Sequence, residues 1–310
     1  MTCLIWRQHR GQALWTVITV AALCVLMVSF GLSAEHWLAG YHSWLRQLAA
    51  AGCPPPNAHS GVFHVRSAAT CSALKDRYPG SLQAAFASRY SFAILFSQDG
   101  LPAAFAIIGT MIGAPLVARE VEQRTQLAAW TQSVSRRRWY ITKIAALTAA
   151  LAVAGLAAGT ANAWLAHQLT AGVAHQLTAG DTTSSRWSWF VSINLALAGE
   201  AALAFALGVA FGALLRRTLP AIGAAVAGFG VLLLGARWIV QALTPAAKTT
   251  GPRFAAPPGS WVLGSGTGVP VPYHPASQYW PLQLVLLTVL LAVAAAALAS
   301  GWRATRTRAV

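Results

Sequence analysis

Six stretches of this chain are each long and apolar enough to cross a bilayer as a helix, which takes about 20 residues. They run over about Gly11–Leu32, Leu101–Ala118, Ile144–Ala166, Trp189–Leu215, Thr218–Val240 and Pro281–Trp302. The second is the shortest, and its apolar character reaches back to residue 97. A segment in lipid must satisfy its own backbone hydrogen bonds, so it is a helix or part of a closed barrel. The alternating ten-residue segments of a barrel are absent. The expected fold is therefore all-α, an integral membrane protein of six transmembrane helices forming one domain over residues 1–310. The first run follows Arg7 and Arg10, as in a secretory signal. It is too long for a signal core, and five further spans follow, so it reads as an uncleaved first span.

Charge sets the expected orientation. The chain carries 22 basic and 7 acidic residues, a net charge of +15. Short basic loops stay cytoplasmic. An N-in start places Arg7, Arg10, Arg119, Arg124, Arg136, Arg137, Arg138, Lys143, Arg216, Arg217, Arg303, Arg306 and Arg308 inside. The short outer loops then hold only Arg186, Lys248 and Arg253. With six spans both termini are cytoplasmic (N-in/C-in). Trp15, Trp187, Trp189, Trp238, Trp280 and Trp302 sit at span ends, as interfacial tryptophans do. The basic residues border the spans, so membrane lipids are their expected partners. No basic stripe interleaved with aromatics marks a nucleic-acid face.

The long outer loop, residues 34–100, begins with an amphipathic stretch. Trp37, Leu38, Tyr41, Trp44, Leu45 and Leu48 share one helical face. Such a helix lies in the outer headgroup plane or packs on its own loop. Pro54–Pro56 then forbid helix. Cys53 and Cys71 lie in this loop, where an oxidising compartment permits a disulfide. Closing it stabilises the fold by about 3 kcal/mol in the chain-entropy account. Cys3 and Cys24 read as unpaired, and no CxxC metal pattern occurs. Ala166–Gly172 and Ala174–Gly180 both read AHQLTAG. The period is too short for a solenoid unit, so a duplication in a tolerant loop is the reading preferred over a metal shared by His167 and His175. The loop at 244–280 is rich in Pro and Gly and reads as an irregular outer cap.

Inside the spans, Gly109/Gly113, Gly155/Gly159 and Gly208/Gly212 have the GxxxG spacing that lets backbones approach. Glu200 lies near mid-span, where a charge costs about 3 kcal/mol on insertion scales. Two readings stand for it: a structural role, as a pair with Arg237 of the fifth span or as a protonated, hydrogen-bonded acid, or a polar point on a translocation path. Chemistry is otherwise sparse. No GxxxxGK[ST], HExxH or GxSxG motif occurs, and the scattered carboxylates form no acid/base pair. The chain carries no catalytic site, no metal site and no cofactor of its own by this reading.

The charge that remains is concentrated. Residues 118–143 read AREVEQRTQLAAWTQSVSRRRWYITK and hold eight charged residues. Arg136–Arg138 and Lys143 suit a positive-inside anchor. Glu120 and Glu122 do not, nor does a Gln/Thr/Ser-rich hairpin with Trp130 in its middle. A mixed-charge hairpin with a central aromatic fits a protein partner better than lipid.

These residues carry a resemblance. The six-span order, the E-x-E-x-x-T cluster at Glu120, Glu122 and Thr125, and the V-S-R…K entry to the third span are similar to permeases of type-2 ATP-binding-cassette (ABC) exporters. WRQHR at Trp6–Arg10, APLVARE at Ala114–Glu120 and WTQSVSRRRW at Trp130–Trp139 resemble small permeases of antibiotic-producing high-GC bacteria. Arg124 stands where many relatives have Gly, and Ser133 where many have Pro.

The resemblance implies that residues 119–143 form a cytoplasmic coupling hairpin on a separate ABC ATPase subunit, present in two copies. Glu120, Glu122, Arg124, Thr125, Gln126, Trp130, Thr131, Ser133 and Arg136 are its expected contacts. ATP and Mg would sit on that partner. Two permease chains, identical or paired with a relative, would enclose the path in a bacterial cytoplasmic membrane. The alternative function is a membrane sensor or scaffold that holds an ABC ATPase without transport.

Overall fold

The computed structural model describes residues 2–54, 68–76, 82–122, 136–174, 190–243, 246–248, 261–262 and 272–307. Eight α-helices account for most of them: α1 (Thr2–Ala50), α2 (Ala68–Lys75), α3 (Leu82–Leu95), α4 (Leu101–Glu122), α5 (Arg136–Ala174), α6 (Asn194–Leu215), α7 (Thr218–Leu243) and α8 (Tyr279–Thr307). A π-helical segment, Phe96–Gly100, joins α3 to α4 without a break. Six helical segments are long and apolar enough to span a membrane: Leu14–Ala50, Ser88–Arg119, Tyr140–Leu169, Asn194–Leu215, Thr218–Val240 and Tyr279–Thr305. A small antiparallel sheet, β1 (Ala247–Lys248), β2 (Trp261–Val262) and β3 (Pro272–His274), lies between α7 and α8 with β3 in the middle.

α6 is the axis of the bundle. In its apolar window 89% of residues are buried, against 61% or less in the other five spans. Its sequence, NLALAGEAALAFALGVAFGALL, explains why. Ala and Gly on every face let neighbours approach from all sides. On one side α7 and α8 pack through Phe229, Leu233, Leu286 and Leu290 against Leu203 and Leu207. On another, Leu197 and Ala201 join a cluster with Met27 of α1, Phe105 of α4 and Leu165 of α5. α6 ends at Arg216, a left-handed residue (φ 53°) whose N–H bonds Gly212 O at 3.1 Å. That bond satisfies one of the orphan carbonyls of the last turn. α7 begins two residues later.

The three GxxxG pairs all converge on α6. A Cβ on Gly113 would collide with Phe205 O, and one on Gly109 would lie 2.8 Å from Ala204 Cβ. Reciprocally, a Cβ on Gly208 would lie 2.9 Å from Ala114 N, and one on Gly212 2.6 Å from Ala114 O. From α5, Gly155 faces Leu197 O and Gly159 faces Asn194. α4 and α5 therefore both lie nearly backbone-to-backbone on α6.

Three boundaries differ from those expected of the sequence. α1 does not stop near Leu32. It runs 49 residues, roughly 70 Å at 1.5 Å per residue, so it far exceeds the roughly 30 Å hydrocarbon thickness. The amphipathic stretch is the upper part of this helix rather than a separate helix in the headgroup plane. Its Tyr41, Trp44 and Leu48 are buried with Cys53 and Cys71, and Trp44 Nε1 donates to Leu74 O. The second span begins at Ser88, earlier than residue 97, because α3 and the π segment continue it. α5 extends to Ala174, so the first AHQLTAG copy is helix, and the second lies almost wholly outside the described residues.

Candidate functional site

Three groups of polar residues interrupt the apolar bundle. The first is at the end of α4. Arg119 and Glu122 are exposed there. Glu122 Oε1 accepts a hydrogen bond from the backbone N–H of Thr218 at 3.1 Å. That N–H belongs to the first turn of α7, one of the donors a helix leaves unpaired, and the positive end of the helix dipole favours a carboxylate there. Glu122 thus ties the end of α4 to the turn between α6 and α7. Glu120 lies on α4 and Arg136 opens α5, but their side chains are outside the described residues. Arg124, Thr125, Gln126, Trp130, Thr131 and Ser133 lie outside them as well.

The second group is Glu200 with Arg237. Glu200 has no exposed surface. It lies on the same helical face as Ala196, Leu203 and Ala204, so it points into the α6–α7–α8 core and away from lipid. Arg237 of α7 is its electrostatic partner. Neither carboxylate oxygen of Glu200 nor Nε of Arg237 has a hydrogen-bond partner among the described residues. Arg237 acts on Glu200 across the core without forming a direct hydrogen-bonded bridge. The structure places Glu200 within one chain's own bundle.

The third group was not anticipated from the sequence. Asn162 of α5 is fully buried, and its Nδ2 donates to Ser97 O and to Ser192 O, both at 2.9 Å. Ser192 Oγ donates to Gln98 O. Gln283 of α8 is also fully buried; its Nε2 donates to Phe190 O at 2.8 Å and its Oε1 accepts from Ala196 N–H at 3.0 Å. Asn194 Nδ2 donates to Tyr279 Oη. The carbonyls served are those that irregular backbone leaves without a regular helical partner, in the π segment and in the break before α6. Non-helical backbone at membrane depth is tolerated where protein groups satisfy it. The signal was present in the sequence as two amides, Asn162 and Gln283, inside otherwise apolar runs.

Cys53 and Cys71 are joined in the structure, with Cα atoms 5.6 Å apart. Among the described residues Cys24 is the free cysteine. Cys3 has no described side chain. No cluster of three or more metal-ligating side chains occurs among the described residues. His167 lies exposed on α5, and His175 is outside the described part.

Residues 56–241, more than half of the chain, match the family model described as ABC-2 membrane transporter related. The matched region begins after the α1 extension and ends within α7, so it includes the α4–α6 contact, the hairpin and both Glu200 and Arg237. No curated protein and no solved structure matches the chain. The match and the six spans agree, and the chain belongs to the ABC-2 membrane transporter related family.

Proposed function

We propose that this multi-pass membrane transporter subunit is the permease of an ATP-driven exporter. It works as a pair of permease chains, homo- or heterodimeric, with two copies of a separate ATPase that bind the 119–143 hairpin. ATP and Mg are held by the ATPase, and this chain contributes the path and the grip. The path suits lipids or hydrophobic natural products, and the setting is a bacterial cytoplasmic membrane.

One observation carries this reading. The hairpin connects α4 and α5, and both of these helices place glycines against the backbone of α6, as Gly301 of α8 also does. Packed helices of this kind move as a unit, because interiors are close-packed and do not deform continuously. A push on the hairpin therefore reaches α6, and through it Glu200 and the α7–α8 side of the bundle. The Glu122–Thr218 bond gives the same motion a second connection, to α7. Transmission also requires that two ATPase states contact the hairpin differently, since a partner binding both equally shifts nothing.

The test is co-expression with the ATPase encoded nearest to this chain, followed by co-purification and transport into inverted vesicles. Trp130→Ala and Glu122→Ala are expected to leave insertion intact. They should weaken ATPase retention or uncouple hydrolysis from transport, by about tenfold or more for the aromatic anchor. Arg137→Ala is expected to change ATPase retention little, because Arg136 and Arg138 duplicate its charge. Wild-type retention and transport in the Trp130 and Glu122 variants, with failure of the arginine variant, would make the hairpin a membrane anchor. ATPase retention without any substrate movement would favour a sensor or scaffold.

A further inference from the structure

The second span carries a wide turn that a proline keeps from pairing with itself. At Phe96–Gly100 the helix is π, and Leu101 N–H donates to Phe96 O, five residues back. In an α-helix that N–H would serve Ser97 O, four residues back. Within the π ladder the donor left for Ser97 O is residue 102, which is proline and has no N–H. Gln98 O loses the same donor in the α ladder, and the Pro102 ring crowds it as well. Side chains from neighbouring elements fill both gaps. Asn162 Nδ2 of α5 donates to Ser97 O at 2.9 Å, and Ser192 Oγ, just before α6, donates to Gln98 O.

The two gaps differ in kind. Gln98 O lacks its α donor in either register. Ser97 O lacks a backbone donor only in the π register, so the Asn162 bond is worth more there than in the α register. Asn162 is fully buried and engages through its donors alone, because its Oδ1 has no partner among the described residues. One exchange separates the two registers: Leu101 N–H moves from Phe96 O to Ser97 O. α4 is poorly placed to take up the change, since Gly109 and Gly113 hold it against the α6 backbone. α3 is free to do so. It departs from helical geometry at Tyr90 (φ −107°, ψ 15°). It also holds the upper part of α1: Tyr90 Oη and Ser33 Oγ share a hydrogen bond of 3.1 Å, and Phe86 meets Trp37 edge-on at 5.3 Å.

We propose that residues 96–101 are a two-register element, π when Asn162 serves Ser97 O and α when Leu101 N–H does, with Asn162 as the positioning residue that selects between them. The change of register moves α3, and the outer cap of upper α1, α2 and the disulfide, relative to the α4–α6 core. The expected step is about 1.5 Å along the axis, the rise of one helical residue. The element is independent of the ATPase, and its test uses the full-length chain alone.

Spin labels at Ser91→Cys on α3 and Met111→Cys on α4, both exposed positions, straddle the turn. They are placed in a chain whose Cys3 and Cys24 are replaced by Ser. One dominant distance is expected when Asn162 and Pro102 are intact. Asn162→Ala should shift the population about tenfold toward a second distance, the size of one backbone hydrogen bond. Pro102→Ala, which returns the α donor to Gln98 O, should populate the same second distance. Thermal melts give an independent readout. Asn162→Ala should lower the melting temperature by about 5 °C. Adding Pro102→Ala should recover most of that loss, because the α register then leaves no carbonyl of the turn unserved. A single unchanged distance in either variant would overturn the proposal. So would failure of Pro102→Ala to recover the lost stability, since Asn162 would then be an ordinary core amide. If Asn162→Ala does not fold, the presence or absence of the second distance in Pro102→Ala decides the question.

Discussion

Glu200 has lost all contact with solvent, and its compensation is the attraction of one partly exposed arginine on the neighbouring helix. A buried charge whose partner is removed costs more than a pair removed together. Arg237→Gln is therefore expected to lower stability by less than breaking a fully ionised buried pair does, by about 1 kcal/mol. Adding Glu200→Gln to Arg237→Gln should restore most of that loss. Unfolding of the three variants in detergent measures the coupling. Strictly additive losses would mean that the two side chains are independent, and would leave Glu200 without a structural role for Arg237. If Glu200 also serves transport, Glu200→Gln should change substrate movement or stimulated ATPase activity while the fold persists. Asn162 and Gln283 illustrate the opposite case at the same scale. They are neutral, fully buried and bonded to backbone, so they hold irregular backbone together at no cost in charge.

Among the elements, α6 sets the packing, and its glycines are not equivalent to those elsewhere. Gly113 and Gly212 face backbone atoms of the partner helix, where no side chain can give way. Gly223, Gly230 and Gly235 of α7 have open space where a Cβ would go. Gly113→Leu is expected to push α4 off α6 and cost about 3 kcal/mol or prevent folding, in line with overpacking of a dense core. Gly223→Ala should leave the melting temperature unchanged or slightly higher, because Ala has the better helix propensity. Size-exclusion profiles and thermal melts of the two proteins distinguish these outcomes, and equal tolerance at both positions would refute the α4–α6 contact. α1 shows how an element is misjudged from pattern alone. The apolar run ends near Leu32, but helix formers continue to Ala50. The aromatic stripe that suits a lipid surface instead finds α2, the disulfide and Leu74. An amphipathic stripe specifies that one face is covered, and not by what.

For the whole molecule, six spans are expected to put the two termini on one side, and the positive-inside rule predicts that side to be the cytoplasm. The Cys53–Cys71 pair caps the end of α1, 18 residues apart in sequence and on the far side of the bundle from the basic termini. An impermeant thiol or tag-directed label added to intact cells is expected to miss both termini. A protease added outside should cut within the 55–67 segment and release a fragment only after reduction. Labelling of either terminus from outside would reverse the topology, and with it the assignment of the 119–143 hairpin to the ATPase side.

The number and kind of spans, and the concentration of mixed charge at 118–143, were fixed by composition along the chain. Each depends on a local property: about 20 apolar residues in a row, or charges close together in sequence. The GxxxG spacings were visible too, but not their partners, since spacing shows that a helix can be approached and not which helix approaches. That all three pairs meet on α6, that Glu200 faces α7 and α8, that Glu122 reaches Thr218 across 96 positions, and that Asn162 mends the break beside a π segment were decided by tertiary structure. These contacts join residues far apart in the chain. Their partners are chosen by which helices lie side by side, and the membrane fixes each helix's depth without fixing its neighbours.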